Sequence, residues 1–213
     1  MARKLERHQL IERTIIKTYR KELWNPFICG VKNYGLIKDG DVILLHLENT
    51  AESMLLAKLL LQLKRVSDTR FELIITGDGG CEENARILNI ELTDGEGNYN
   101  KTALCDTLSD ICQTVLESML WDSKIKGVLP EENGNIRPMF CISRDAVNRW
   151  TKLNGLTFTE KEDKSRAAEL LSELKKKNPD TESNILSSLS SLCLDTMPGY
   201  IKNGTQHTFL ENY

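Results

Sequence analysis

The chain has 213 residues, 40% apolar and 28% charged, with a formal net charge of −3. That suffices for one well-filled core with an appendage, and the mild acidity argues against a protein that holds nucleic acid by bulk positive charge. No apolar run approaches the ~20 residues that cross a bilayer. The charged N-terminus lacks the apolar stretch of a signal peptide, so a cytoplasmic protein without a membrane partner is expected.

In chain order, Leu5, Leu10, Ile11, Ile15, Ile16 and Tyr19 recur at helical intervals and predict an amphipathic helix, broken at Trp24-Asn25-Pro26. Its cations, Arg3, Lys4, Arg7, Arg13, Lys17, Arg20 and Lys21, read as a solvated face. Phe27 to Tyr34 is a short second helix, and Gly35, Asp39 and Gly40 mark a turn. Val42 to Leu47 has the length of a buried strand, and Met54 to Leu63 carries a broad leucine face. Phe71 to Thr76 is the next strand, closed by Gly77-Asp78-Gly79-Gly80, followed by a helix from Cys81 to Leu88. Ile90 to Thr93 predicts a third strand, Asp94 to Lys101 a loop, and Ala103-Leu104 a further short strand. Asp106 to Leu120 is a helix capped by Asp106 or Thr107. Gly127 to Gly134 is a loop and Ile136 to Cys141 is extended. Helices follow over Ser143 to Leu153, Lys161 to Lys177 and Thr181 to Leu194, and the tail from Pro198 has no periodicity. Alternating strands and helices imply an α/β fold, a parallel sheet with helices on both faces and a helical C-terminal extension. The expected organisation is an N-terminal helical segment (1–34), an α/β core (35–155), C-terminal helices (156–197) and a tail (198–213).

The loop between the first strand and its helix is the informative place. In open α/β sheets it lies at the carboxyl end of the strand, facing the ligand crevice. Here it reads Glu48, Asn49, Thr50, Ala51, Glu52, Ser53, with no glycine, lysine or arginine. The position suits phosphate; the chemistry does not. The six cysteines (Cys29, Cys81, Cys105, Cys112, Cys141, Cys193) form no CxxC pair, and His8, His46 and His207 share no ligand spacing, so no metal site is expected. His46 reads as a packed or edge residue of the strand.

The order of segments resembles the PP-loop ATP-pyrophosphatase superfamily, and within it the tRNA 2-thiocytidine synthetase family. The resemblance lies in GLIKDGDVILLHL (Gly35 to Leu47), ALCDTLSDICQTVLESMLWDSKIKGVLP (Ala103 to Pro130), IRPMFCISRDAV (Ile136 to Val147) and LLSELKKKNPDTESNILSSLSSL (Leu170 to Leu192). It implies a PP-loop fold of the HUP, adenine nucleotide alpha hydrolase type. It also implies a nucleotide site at Glu48, Asn49, Thr50, Ala51, Glu52, Ser53, Asp78, Asp110 and Thr114, with ATP and magnesium as ligands and tRNA as a partner.

The departures fall on the chemistry. The family's Ser-Gly-Gly-Lys-Asp-Ser becomes Glu48 through Ser53, keeping only Ser53 and the acid at Glu52. A carboxylate ~4 Å from a phosphate charge costs about 4 kcal/mol at an effective dielectric of ~20, roughly a thousandfold in affinity. The family's Gly-His-His-x-Asp-Asp becomes Cys105 through Asp110, with Ser109 in place of one acid; Asp110 and Thr114 match. The family's two CxxC motifs are missing, so an iron–sulfur cluster is not expected. The reading is a degenerate PP-loop protein that is not catalytic and binds a partner protein, a second copy, a nucleotide or tRNA. Two alternatives stand beside it. One is an active, ATP-dependent tRNA-modifying enzyme with an altered loop, Asp110 its catalytic acid, Glu48, Glu52, Asp78 and Asp110 clustered at the sheet edge, and Cys81 or Cys105 a sulfur carrier. The other is a structural or oligomerising module built on the first and last helices.

Overall fold

Each parallel strand pair in this chain is joined by a helix, and the topology follows from that. The computed structural model describes residues 5–93, 97–159, 165–193 and 196–208. The N-terminal segment is helical from α1 (Arg7–Arg13) through two wide π-type turns (Thr14–Thr18 and Arg20–Trp24) into α2 (Asn25–Asn33). Pro26 therefore does not break it. Proline sits in the first turn of α2, where its missing N–H costs little, and the change of direction falls at Tyr19 (φ −100°, ψ 23°). Ile11, Ile15, Leu23 and Phe27 line the buried side at four-residue spacing.

The main sheet has the order β2-β1-β3-β5-β4. Its strands are β1 (Val42–Leu47), β2 (Glu72–Gly77), β3 (Lys101–Ala103), β4 (Glu131–Glu132) and β5 (Asn135–Ile136). All pairs are parallel except β4 with β5. The helix α3 (Ala51–Val66) crosses from β1 to β2 and packs on both strands and on α6 (Arg144–Asn154). Met54 through Leu60 are all buried, so α3 is enclosed all round rather than on one stripe. Its one buried cation, Lys58, donates to Leu88 O at 2.8 Å and pairs with Glu12, which also meets Arg65 at 3.0 Å. Burial pushes the Glu12 carboxyl up, but the hydrogen bond and charge of Lys58, with Arg65, outweigh it and hold the group below its ordinary value. This pins the N-terminal helix to α3.

The remaining helices are α4 (Glu82–Ile87), α5 (Leu108–Leu120), α7 (Arg166–Lys177) and α8 (Thr181–Ser190). α5 packs against α7 and α8 around a small second core of Leu108, Cys112 and Leu171. Trp150 on α6 is fully buried and donates its Nε1–H to Thr14 Oγ1 at 3.1 Å. Gly155 ends α6 in the left-handed conformation (φ 57°), as its position past the last turn predicts.

Three expectations need correction. Ile90 to Thr93 is not a strand: Asn89 turns the chain with φ 52°, and Thr93 then makes a single backbone bond to Ile75 O, at 2.7 Å. The strand placed at Ala103-Leu104 starts earlier, at Lys101, whose ammonium donates to Leu36 O at 2.7 Å and faces Asp41 at 3.2 Å. The loop at 127–134 and the tail each contain a hairpin, β4–β5 and β6 (Gly199–Lys202) with β7 (Thr205–Thr208). Both turn through Asn-Gly: Asn133 (φ 52°) and Gly134 (φ 81°), Asn203 (φ 51°) and Gly204 (φ 77°). Asn-Gly is among the few dipeptides that readily take two successive positive φ angles, which makes it a strong short-range hairpin signal. The loop start at 94–96 and the helix start at 161–164 lie outside the described residues, as do 209–213.

Candidate functional site

The carboxyl ends of β1, β2 and β3 bring three loops together, 48–50, 77–81 and 104–107, and the helices that follow begin there. In the first, Thr50 is the N-cap of α3: extended at φ −113°, ψ 153°, its Oγ1 accepts from Ser53 N at 3.4 Å. Ser53 Oγ donates to Glu48 O at 2.6 Å, tying the loop to the helix. Asn49 is spent on neighbours. Its carbonyl accepts from Thr159 N at 2.9 Å, and its side-chain oxygen accepts from Asn84 Nδ2 at 2.8 Å. The same Asn84 amide donates to Thr157 O at 3.0 Å, so the segment after α6 straps across the loop. No residue from Glu48 to Ser53 has positive φ. The loop is thus an ordinary capped turn and lacks the alternating backbone of a phosphate cradle.

Arg144, at the first turn of α6, sits between the two helix starts. Its guanidinium lies 2.5 Å from Asp110 Oδ1 and 3.6 Å from Glu52 Oε1. The side chains of Arg144, Asp110 and Glu52 are only 17%, 16% and 9% exposed, so these charges meet with little water between them. The other oxygen of Asp110 closes a capping box on Thr107, accepting from its N–H at 2.8 Å and its hydroxyl at 2.6 Å. Thr107, not Asp106, is therefore the cap; Asp106 pairs instead with Arg137 Nε at 2.9 Å. Thr114 donates to Asp110 O at 3.1 Å, a bond within the helix. Ser109, which replaces the second acid, donates to the buried Glu182 Oε1 at 2.6 Å. Lys175 faces that same oxygen at 3.0 Å and Asp145 Oδ2 at 2.6 Å. Cavities of about 410 and 420 Å³ flank Arg144, one toward Lys175, the other under the strap.

The predicted residues thus separate. Glu52 and Asp110 share Arg144; Glu48 is exposed; Asp78, 80% exposed, lies 3.2 Å from His46 Nε2. His46 is exposed at the end of β1, with Nδ1 3.0 Å from Thr76 Oγ1. Among the described residues no group of three or more His, Cys, Asp or Glu stands together in a way that would hold a metal ion. Cys81 is buried, and its thiol is raised by that burial and by the nearby acids Glu82 and Asp78. Sequence reasoning missed Arg144, Lys175 and Glu182. Nothing local marks them: Ser143-Arg144-Asp145 reads as a plain helix start, and the partners lie 30 or more residues away except within the last two helices.

No family model matches the chain. Its fold is that of a PP-loop tRNA thiolase: the U34-tRNA thiolase NcsA of Methanococcus maripaludis, solved with its [4Fe-4S] cluster, superposes with a TM-score of 0.59 over 84% of this chain and 80% of that one, at 15% identity. In sequence the chain is similar to the tRNA-cytidine(32) 2-sulfurtransferase of Geotalea daltonii, 23% identical over 231 aligned positions that cover 81% of this chain and 92% of the relative. The resemblance to the PP-loop superfamily, and to its tRNA 2-thiocytidine synthetases, therefore holds.

One expectation is overturned. The missing CxxC motifs argued that no iron–sulfur cluster belongs here, yet a protein of this same fold carries one. Spacing alone therefore does not dismiss a cluster. In this chain burial pushes the thiols of Cys112 and Cys141 up to about 12 and about 11.

Proposed function

We propose that this chain is a PP-loop protein related to the tRNA thiolation enzymes that no longer adenylates, and that it works in the cytoplasm by binding RNA of the transfer-RNA class. One observation carries the first half. Arg144, whose guanidinium reaches Glu52 at the start of α3, already faces two carboxylates, Glu52 and Asp110, at 3.6 and 2.5 Å. An incoming triphosphate would have to displace both acids and overcome Glu48, with no loop lysine to reward it; Ala51 stands at the lysine position. Asp110 is likewise engaged with Arg144 and Thr107, so a magnesium ion would compete with existing partners. Support for RNA comes from the relatives, both of which act on tRNA by name.

The test is pyrophosphate release from ATP and magnesium with bulk tRNA, beside thermal melting with and without ATP. Neither turnover nor a shift is expected, whereas a nucleotide at ~100 times its Kd would add roughly 2.7 kcal/mol of stability. Turnover abolished by Asp110→Ala would overturn the reading in favour of an active tRNA-modifying enzyme.

A second reading has its own observation. α5, α7 and α8 frame an apolar groove of about 510 Å³ lined by Leu116, Met119, Ile125, Ile185, Leu189 and Leu192. Met119, Ile125 and Leu192 are about half exposed, which suits a protein partner or a second copy of the chain. Sedimentation of the purified protein, with mass spectrometry of what co-purifies, separates these two; a monomer with no co-purifying protein removes both.

A further inference from the structure

The N-terminal helical segment carries a charge pattern that neither the core nor the site uses. Ile11, Ile15, Leu23 and Phe27 face inward at four-residue spacing. Arg13, Lys17 and Lys21 repeat at the same spacing, two residues out of phase, which puts them on the opposite side, with Arg20 beside them. All four are exposed. Spread from Arg13 at the end of α1 to Lys21 in the second π-type turn, they form a row of cations rather than a point.

The acids of the segment do not neutralise that row. Glu12 is turned to Lys58 and Arg65, and Glu22 pairs with Arg149 at 2.5 Å. Both therefore spend their charge on cations from elsewhere in the chain. Among the described residues no carboxylate forms an ion pair with Arg13, Lys17, Arg20 or Lys21. In a chain whose net charge is −3, a local row of uncompensated cations is an asymmetry of the kind that steers a polyanion. Beside the stripe only Leu10, half exposed one turn before Arg13, offers large apolar surface, and no large apolar side chain between it and Tyr34 is exposed. A membrane-surface helix needs a continuous apolar face next to its charges, which one leucine does not make; a phosphodiester backbone needs only the charges.

We infer that Arg13, Lys17, Arg20 and Lys21 form the surface that holds an RNA backbone, through contacts to phosphate and without base readout. This rests on the RNA-binding reading above and assigns it a face. It also places the contact on the N-terminal helical segment rather than in the loops at the sheet edge.

The probe is fluorescently labelled bulk tRNA, followed by anisotropy over a salt series, against full-length protein. The test variant is Arg13→Glu/Lys17→Glu/Lys21→Glu, which leaves the buried stripe untouched. Lys124→Glu/Lys126→Glu/Lys202→Glu makes the same charge change at exposed sites elsewhere. Circular dichroism checks that both fold. Because each lost phosphate contact lowers the salt slope by about one, the stripe variant is expected to lose affinity roughly tenfold or more, with a slope shallower by ~2–3. The control keeps the wild-type slope. If the milder Arg13→Gln/Lys17→Gln/Lys21→Gln protein also binds less, a folding defect of the reversal is set aside. A stripe variant that binds as the wild type does, or a control that loses as much, overturns the assignment while leaving RNA binding standing. A wild type that ignores tRNA defeats both readings, and one that instead binds phosphatidylserine vesicles makes the stripe a membrane contact.

Discussion

Replacing Arg144 by methionine tests the claim that Arg144, Asp110 and Glu52 form a structural ion-pair network. The change keeps the apolar stem and removes the guanidinium from Asp110 and Glu52, 2.5 and 3.6 Å away. At an effective dielectric of ~20, charges ~4 Å apart attract by about 4 kcal/mol. Breaking a buried pair from one side costs about 3–5 kcal/mol, and the lower end applies because Arg144 is 17% exposed and Asp110 keeps Thr107. The expected loss is ~3 kcal/mol, or roughly 6–12 °C in Tm for a chain of this size. Urea unfolding measures it. Adding Glu52→Gln to the variant should recover at least ~1 kcal/mol relative to the sum of the single changes. A variant within ~0.5 kcal/mol of wild type, or strict additivity, would refute the idea that these charges hold each other.

Other outcomes follow from the same reasoning. Glu12 sits below its ordinary pKa of 4.5, so the unfolded chain binds more protons in that range and the group's stability is present above that pH and lost as pH falls through the folded value. The stability gap between wild type and Glu12→Gln should thus be open at neutral pH and narrow in acid; an unchanged gap in urea melts at both pH values would contradict the Lys58–Glu12 account. Alkylation at mildly alkaline pH, read by mass spectrometry, should modify the exposed Cys29 and Cys193 quickly, the half-buried Cys141 more slowly, and the buried Cys112 only after unfolding, because the last two hold their protons up to about 11 and about 12. Fast labelling of Cys112 in the native protein would mean that the core formed by α5, α7 and α8 opens readily.

Much of this was legible along the chain because it is local. The β1–loop–α3 unit follows from an apolar run, a polar break and a leucine face. The caps at Ser143 and Gly155 follow from residue type, and Asn-Gly at 133 and 203 carried hairpin information that a loop reading passed over. Ile90 to Thr93 misled because Ile90, Glu91, Leu92 and Thr93 alternate apolar and polar as a strand does, without securing a partner; only one backbone bond to β2 forms there. Pro26 misled because its position in a helical turn, not its presence, decides whether the helix continues.

Sequence alone determined the α/β order, the family resemblance and the loss of loop glycine and lysine, since each depends on residues close together in the chain. Tertiary structure alone decided which charges meet around the loop. Arg144 reaches Glu52 and Asp110 across 92 and 34 positions, and Glu182 reaches Ser109 across 73. The pairing of Glu12 with Lys58 and Arg65, and of Glu22 with Arg149, likewise leaves Arg13, Lys17, Arg20 and Lys21 without an ion pair among the described residues. Charge pairing depends on distance in space, and no spacing rule along the chain reports that distance.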